Sequence, residues 1–392
     1  MGVNILNDNQ VHYHLSLIDE TELLAEEFKY KYGITPLNLS DWNASDEFLS
    51  YVNSKVAFEE IANPSNYIFS YSLDSKTTQT IISKLSNTTE TFKGMLFTNA
   101  SSSSIYNVIN WLAKTGCSSL GIICPFYFTV PYGCSNFDIN CSYIYLDRDK
   151  DKFFLDEKSM QEIWEYKYVW LTNPVYCTSV YYEDGFLNYI EELLQKGTVI
   201  IADESLCETG KELLQHFLKY RNFIGIYSPH KSICFNGRKF SVVIFDLEYQ
   251  DFFDQWADIL YGCLSASNMK AMHHFLSPSY DKYYTLLKQK ISHTFFYVKN
   301  VCDIFGIDYD KKADGYLISL YFKNILHQKG LDINFLEQIM YECETTLITG
   351  AQNYFKPDFG FSFRINLCAD SLFFRNAFEK TIIYLGKLNS II

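Results

Sequence analysis

The sequence predicts an α/β fold: a large domain on a mainly parallel seven-stranded sheet covered by helices, followed by a smaller α+β C-terminal domain. Three observations predict it. Between residues 94 and 246 short apolar runs alternate with amphipathic stretches. From about residue 280 that rhythm gives way to one long helical pattern and two further strand-like runs. The 392 residues are enough for two domains and a large core. The expected division is an N-terminal arm at 1–45, a large domain at 46–275 and a small domain at 276–392.

The expected strands, in chain order, are 95–98, 120–124, 142–146, 168–172, 199–202, 223–227 and 241–245. Each is short, rich in Val, Ile or aromatic residues, and closed by a turn or a polar residue. After the serine run 101–104, Ile105, Val108, Ile109 and Leu112 recur at helical spacing. Phe186, Leu187, Ile190, Leu193 and Leu194 do the same, and Gly197 ends that stretch. Strands alternating with helices argue for a parallel sheet covered on both faces. Downstream come a helix from Ser279 to about Phe305, a strand near 316–322, a helix near 334–341, a strand near 361–367 and a closing helix. The first 45 or so residues are expected to pack with this smaller domain or across a partner subunit.

Composition excludes several classes. A net charge of -13 argues against nucleic acid and anionic membrane as partners. No apolar run approaches the roughly 18 residues of a spanning helix. The N-terminus lacks the basic start and apolar stretch of a signal peptide, and Leu6 stands where myristoylation needs Ser or Thr. The 11 cysteines are an odd number, scattered and without a C-x-x-C pair, which reads as reduced thiols of a cytoplasmic protein. His12 with His14 and His273 with His274 find no third ligand at metal-site spacing, so no metal is expected.

Lys231 closes Ser228-Pro229-His230-Lys231, directly after an apolar run. Asp203 follows Val199-Ile200-Ile201-Ala202, and Asn173-Pro174 follows the run at 168–172. Ligands of parallel sheets bind outside the carboxyl ends of the strands, where all three residues fall. An amine, an acid and an amide there suit pyridoxal 5′-phosphate (PLP). That cofactor needs a lysine for its Schiff base, a carboxylate for its pyridinium nitrogen and a polar group near its phenolic oxygen.

These motifs together resemble the class I/II aminotransferases, PLP enzymes of fold type I, over roughly residues 30 to 390. Lys231 matches the Schiff-base lysine of the family's S-x-x-K-x5-G-x-R pattern, and Asp203 the partner of the pyridine nitrogen. Asn173, in Asn173-Pro174-Val175-Tyr176-Cys177-Thr178-Ser179, resembles the amide of the family's N-P-x-x-P-T-G or N-P-T-G segment, which contacts the phenolic oxygen. The stretch 98–102 resembles the phosphate loop, with Ser101 and Ser102 at a helix N-terminus. Ser228 and either Arg238 or Lys239 complete the implied phosphate site. Tyr127 matches the aromatic residue that stacks on the ring, and Arg364 the arginine for a substrate carboxylate. Trp42 lies in the segment implied to set substrate specificity. Tyr71 is the candidate for a tyrosine reaching the phosphate from a partner subunit.

The resemblance implies a homodimer that transforms an amino acid, most simply by transamination with a 2-oxo acid. The departures are Ala100 and Ser179 where glycine is usual, Lys239 where arginine is usual, and Leu206 where a tyrosine donor is usual. Leu206 keeps elimination, cyclisation or oxidation of a modified amino acid open. A non-catalytic, aminotransferase-like binding subunit is the remaining alternative. His230, beside the lysine, is a candidate proton-transfer group.

Overall fold

The computed structural model describes residues 8–42, 44–55, 75–87, 93–237, 239–261 and 265–390. All seven expected strands form one sheet. They are β1 (Lys93–Thr98), β2 (Ser119–Cys124), β3 (Asn140–Tyr145), β4 (Tyr168–Thr172), β5 (Val199–Glu204), β6 (Phe223–Tyr227) and β7 (Ser241–Asp246), in the spatial order β1-β7-β6-β5-β4-β2-β3. Only β7 runs antiparallel to its neighbours; the other pairs are parallel.

The strands are apolar throughout because both faces are covered. Val169 and Leu171 pack into one core, and Tyr168 and Trp170 into the other. Helix Ser101–Lys114 buries Ile105, Val108, Ile109 and Leu112 in the second core. Helix Asp184–Lys196 buries Phe186, Ile190, Leu193 and Leu194 in the first. It stops at Gly197, whose φ of 98° is a left-handed cap that favours glycine.

One strand runs further than its pattern. β5 continues through Asp203 and Glu204, with Asp203 opposite Thr172 of β4 and Ile226 of β6. Acidic residues are poor strand formers, so the apolar signal stops at Ala202 while the ladder does not.

The C-terminal part follows the expected order. Helix Pro278–Phe305 leads to β8 (Leu317–Phe322), helix Ile333–Cys343, β9 (Phe361–Asn366) and helix Leu372–Ser390. β8 and β9 are antiparallel. The N-terminal segment packs on this part of the chain: Leu37–Asn38 pairs with Thr345–Thr346, and Ser40 Oγ donates to the Arg364 carbonyl at 2.6 Å. Among the described residues no helix is long and apolar enough to cross a membrane. The ten described cysteines are all buried and free.

Candidate active site

The carboxyl end of β6 and the start of helix Ser101–Lys114 enclose a cavity of about 490 Å³. Of the expected site residues, Trp42, Ser101, Ser102, Tyr127, Ser228, Lys231 and Lys239 line it. Arg238 and Tyr71 lie outside the described residues.

Lys231 sits in the short helix Pro229–Ser232 that follows β6. Two phenols hold this turn from the C-terminal part: Tyr280 donates to Pro229 O at 2.8 Å and Tyr316 to Lys231 O at 2.9 Å. The Lys231 Nζ lies 4.8 Å from the Trp42 ring centre and 4.9 Å from that of Tyr127. Burial pulls its pKa down to about 8; Asp203 opposes the shift and Arg364 adds to it. Asp203 is buried and accepts from Ser205 N at 3.1 Å. Burial raises its pKa, with the Lys231 charge working the other way. Amine and carboxylate thus sense each other across the site without forming an ion pair.

The other end of the cavity is built to receive an anion. Helix Ser101–Lys114 starts after Ala100 with no side-chain cap, and a helix N-terminus favours negative charge. The buried Ser228 hydroxyl has no hydrogen-bond partner among the described residues, a condition that calls for a ligand. Lys239 brings a cation to the exposed rim. Behind the helix, Thr98 Oγ1 and Ser104 Oγ are 2.7 Å apart, Ser104 donates to Ser241 at 2.9 Å, and Ser241 to Tyr227 O at 2.7 Å. This hydroxyl chain pins the helix to β1 and β7, so Thr98 is spent on support. Asn268 donates to Lys239 O at 2.6 Å and to Asn99 O at 3.4 Å, tying the two sides of the anion seat together. The Tyr127 ring lies beside Phe128, with the ring centres 4.7 Å apart.

Arg364 lies on β9 and is 1% exposed. Its Nε and Nη2 donate to Ser40 O at 3.4 and 3.2 Å, and Nη1 to Cys177 Sγ at 3.3 Å. The Trp42 ring stacks over the guanidinium at 3.7 Å. No carboxylate pairs with Arg364 among the described residues, and a buried cation without a counter-charge favours an anionic ligand.

Two of the residues singled out in the sequence stand away from the wall of this cavity. Asn173 is buried, but its amide donates to Glu204 Oε1 at 2.6 Å and to Lys211 O at 3.3 Å, and it is not on the cavity wall. The cause is the extra length of β5. It carries Glu204 inside, where burial pushes its carboxyl up to about 7, and such a group takes the nearest donors. His230 is turned to His274, with the ring nitrogens 2.8 Å apart, rather than to the cavity. Leu206 is buried and apolar.

The sequence reading missed Asn236, Asn268, Tyr176 and Cys177. Asn236 lines the cavity and donates to the Trp42 carbonyl. Cys177 Sγ accepts from Arg364 Nη1, and the buried Tyr176 ring centre lies 6.0 Å from that of Tyr127. A signal for Tyr176 existed: aligning the shorter N-P-T-G pattern on Thr178 puts Tyr176, not Asn173, at the amide position. Nothing local marks Asn268, which acts from 29 residues beyond Lys239.

No family model matches the chain, and no curated protein matches it by sequence. Its architecture is the fold-type I, aminotransferase-like fold. Bna3p of Saccharomyces cerevisiae, described as a candidate kynurenine aminotransferase, superposes with a TM-score of 0.75 at 14% identity, over 95% of this chain and 96% of that one. YbdL of Escherichia coli, reported with a methionine aminotransferase function, gives 0.74 at 12%, over 93% and 96%. A PLP-bound C-S lyase of Staphylococcus hominis gives 0.68 at 14%, over 91% and 92%.

Proposed function

We propose that this chain is a PLP-dependent enzyme acting on an amino acid, most simply an aminotransferase. The observation that carries the reading is one cavity lined by the Lys231 amine and by the hydroxyls of Ser101, Ser102 and Ser228 at a helix N-terminus, with the buried Asp203 carboxylate near the amine and the buried Arg364, which has no carboxylate partner among the described residues, under the lining Trp42 ring. The residues fit the cofactor. Ser101, Ser102, Ser228 and Lys239 would hold its phosphate, Tyr127 its ring face, Asp203 its ring nitrogen and Lys231 its aldehyde carbon. The bound group supplies an electron sink for the bonds at the substrate's α-carbon.

The chain's own residues do the rest. The buried Asp203 carboxylate would favour a proton on the ring nitrogen of a bound cofactor. With its pKa near 8, Lys231 can act as a nucleophile and, once released, take the α-proton. Arg364, whose guanidinium lies under the Trp42 ring, would fix the substrate carboxylate. The organisation we propose is an arm at 1–45, a PLP-binding domain at 46–275 and a small domain at 276–392, assembled as a homodimer. Free thiols suit the reducing cytoplasm.

A second reading is elimination, cyclisation or oxidation of a modified amino acid. Leu206, standing where a tyrosine donor is usual, and the Asn173 amide, engaged on Glu204, support it. Turnover of an amino acid panel with and without a 2-oxo acid separates the two. An aminotransferase converts its substrate once and then stops unless the oxo acid is present. Sustained conversion without it would move the assignment to the second reading.

A further inference from the structure

A groove of about 890 Å³ opens at the end of the sheet opposite to the active-site cavity. It lies between the end of helix Ser75–Ser86, the turn at 215–221 and the paired residues Lys93 and Asp246. β1 runs from Lys93 to Thr98, β6 from just after Arg221 to just before Ser228, and β7 from Ser241 to Asp246. Each of these strands therefore joins a groove residue at one end to a residue of the anion seat, or of its support, at the other. Five or six residues of strand keep the two ends about 17–20 Å apart.

The groove is basic in a chain whose net charge of -13 repels anions overall. Lys93, Lys219, Arg221 and the exposed His216 line it, and Asp246 is the single acid on its wall among the described residues. The Lys93 side chain is 6% exposed; its Nζ donates to Tyr220 O at 2.8 Å and stands 3.7 Å from Asp246 Oδ2. Burial pulls its pKa down; Asp246 opposes that shift and the neighbouring Arg221 charge adds to it. Arg221 makes no hydrogen bond or ion pair with a described residue. The turn that carries it is fixed: Tyr220 N donates to Phe217 O at 3.0 Å, and Glu191 accepts from Tyr220 Oη at 2.7 Å and from Lys219 Nζ at 2.8 Å. A guanidinium with open donors beside a buried ammonium suits a phosphate group. The groove is far larger than a phosphate, and Leu218 and Leu247 give it apolar wall for an organic body.

We propose that this groove binds a phosphorylated small molecule, with the phosphate held between Arg221 and Lys93. The site is separate from the cavity of Lys231, and the assignment does not rest on reading the chain as an amino-acid enzyme. Arg221 supplies paired N–H donors to the phosphate oxygens, and Lys93 a fixed charge behind them.

The test titrates the PLP-treated full chain with phenyl phosphate by calorimetry, with phenol as the uncharged comparison. The salt is about 0.1 M, where charges more than about 10 Å apart are screened. Three variants accompany the wild type: Arg221→Ala, Ser228→Ala in the other anion seat, and Lys158→Ala on the exposed face of helix Glu157–Trp164. The wild type should bind phenyl phosphate and not phenol. Arg221→Ala should bind it about tenfold more weakly, the loss of hydrogen bonding to a charged group. Ser228→Ala and Lys158→Ala should bind it as the wild type does. Equal weakening in Lys158→Ala would reduce the effect to overall charge. Weakening in Ser228→Ala with none in Arg221→Ala would place the phosphate at the other end of the sheet. Either result overturns the assignment, as does equal binding of phenol or no binding by the wild type.

Discussion

At the scale of single residues, the site is organised by what burial does to charge. Lys231 faces two aromatic rings and an open cavity, and its pKa is drawn from about 10.5 to about 8. The sign follows directly. Below pH 8 the protonated amine sits in apolar surroundings and costs stability, and that cost is relieved between pH 8 and 10.5. The neutral amine is the nucleophile, so the rate at which the apo chain reacts with added PLP should rise with pH through a midpoint near 8, read by stopped-flow absorbance. A midpoint near 10.5 would mean that the amine is solvated. Most of these side chains were legible in the sequence because lysine, aspartate, arginine and serine stood at strand tips in a known order. That the Asn173 amide donates to Glu204 was not legible, because nothing in the sequence marks Glu204 as a buried acceptor. Tyr176 was overlooked because a buried tyrosine in a chain with 31 of them carries little signal.

At the scale of elements, the anion seat depends on a helix N-terminus and a strand end being held in register. The hydroxyl chain Thr98–Ser104–Ser241 does this from inside the sheet, and Asn268 from outside. Ser228 is the one seat residue whose hydroxyl is buried and unpaired. Ser228→Ala should therefore leave thermal stability nearly unchanged and weaken PLP affinity about tenfold, as expected for one charge-assisted hydrogen bond. Equilibrium titration of the apo variant with PLP checks this; unchanged affinity would place the phosphate elsewhere. Strand positions were legible from short apolar runs bounded by turns, and β4 and β6 match their patterns end to end. The end of β5 was not, since buried acids contradict strand propensity and only the neighbouring strands dictate the pairing.

At the scale of the whole molecule, the cavity exists because distant parts of the chain converge on one loop. Trp42 comes from the N-terminal segment and Lys231 from the turn after β6, while Arg364 of β9 lies under the Trp42 ring and is held by Ser40 O. Arg148, on the short strand Asp147–Asp149 after β3, reaches across to Asp308 and Asp310 and stacks on Tyr321, tying the C-terminal sheet to this part of the chain. The α/β alternation announced the large sheet, and the change of pattern near residue 280 announced the second. How the N-terminal segment lies over Arg364 was not legible, because that contact joins residues 324 positions apart. The central claim is that Lys231 carries PLP in this cavity. The visible absorbance spectrum of the purified protein, with and without borohydride, beside Lys231→Ala, tests it most directly. A visible band that is absent in the variant, with reduction fixing the cofactor's mass on the peptide containing Lys231, is the predicted result. No band after PLP is added, or label on a different lysine, would contradict the account.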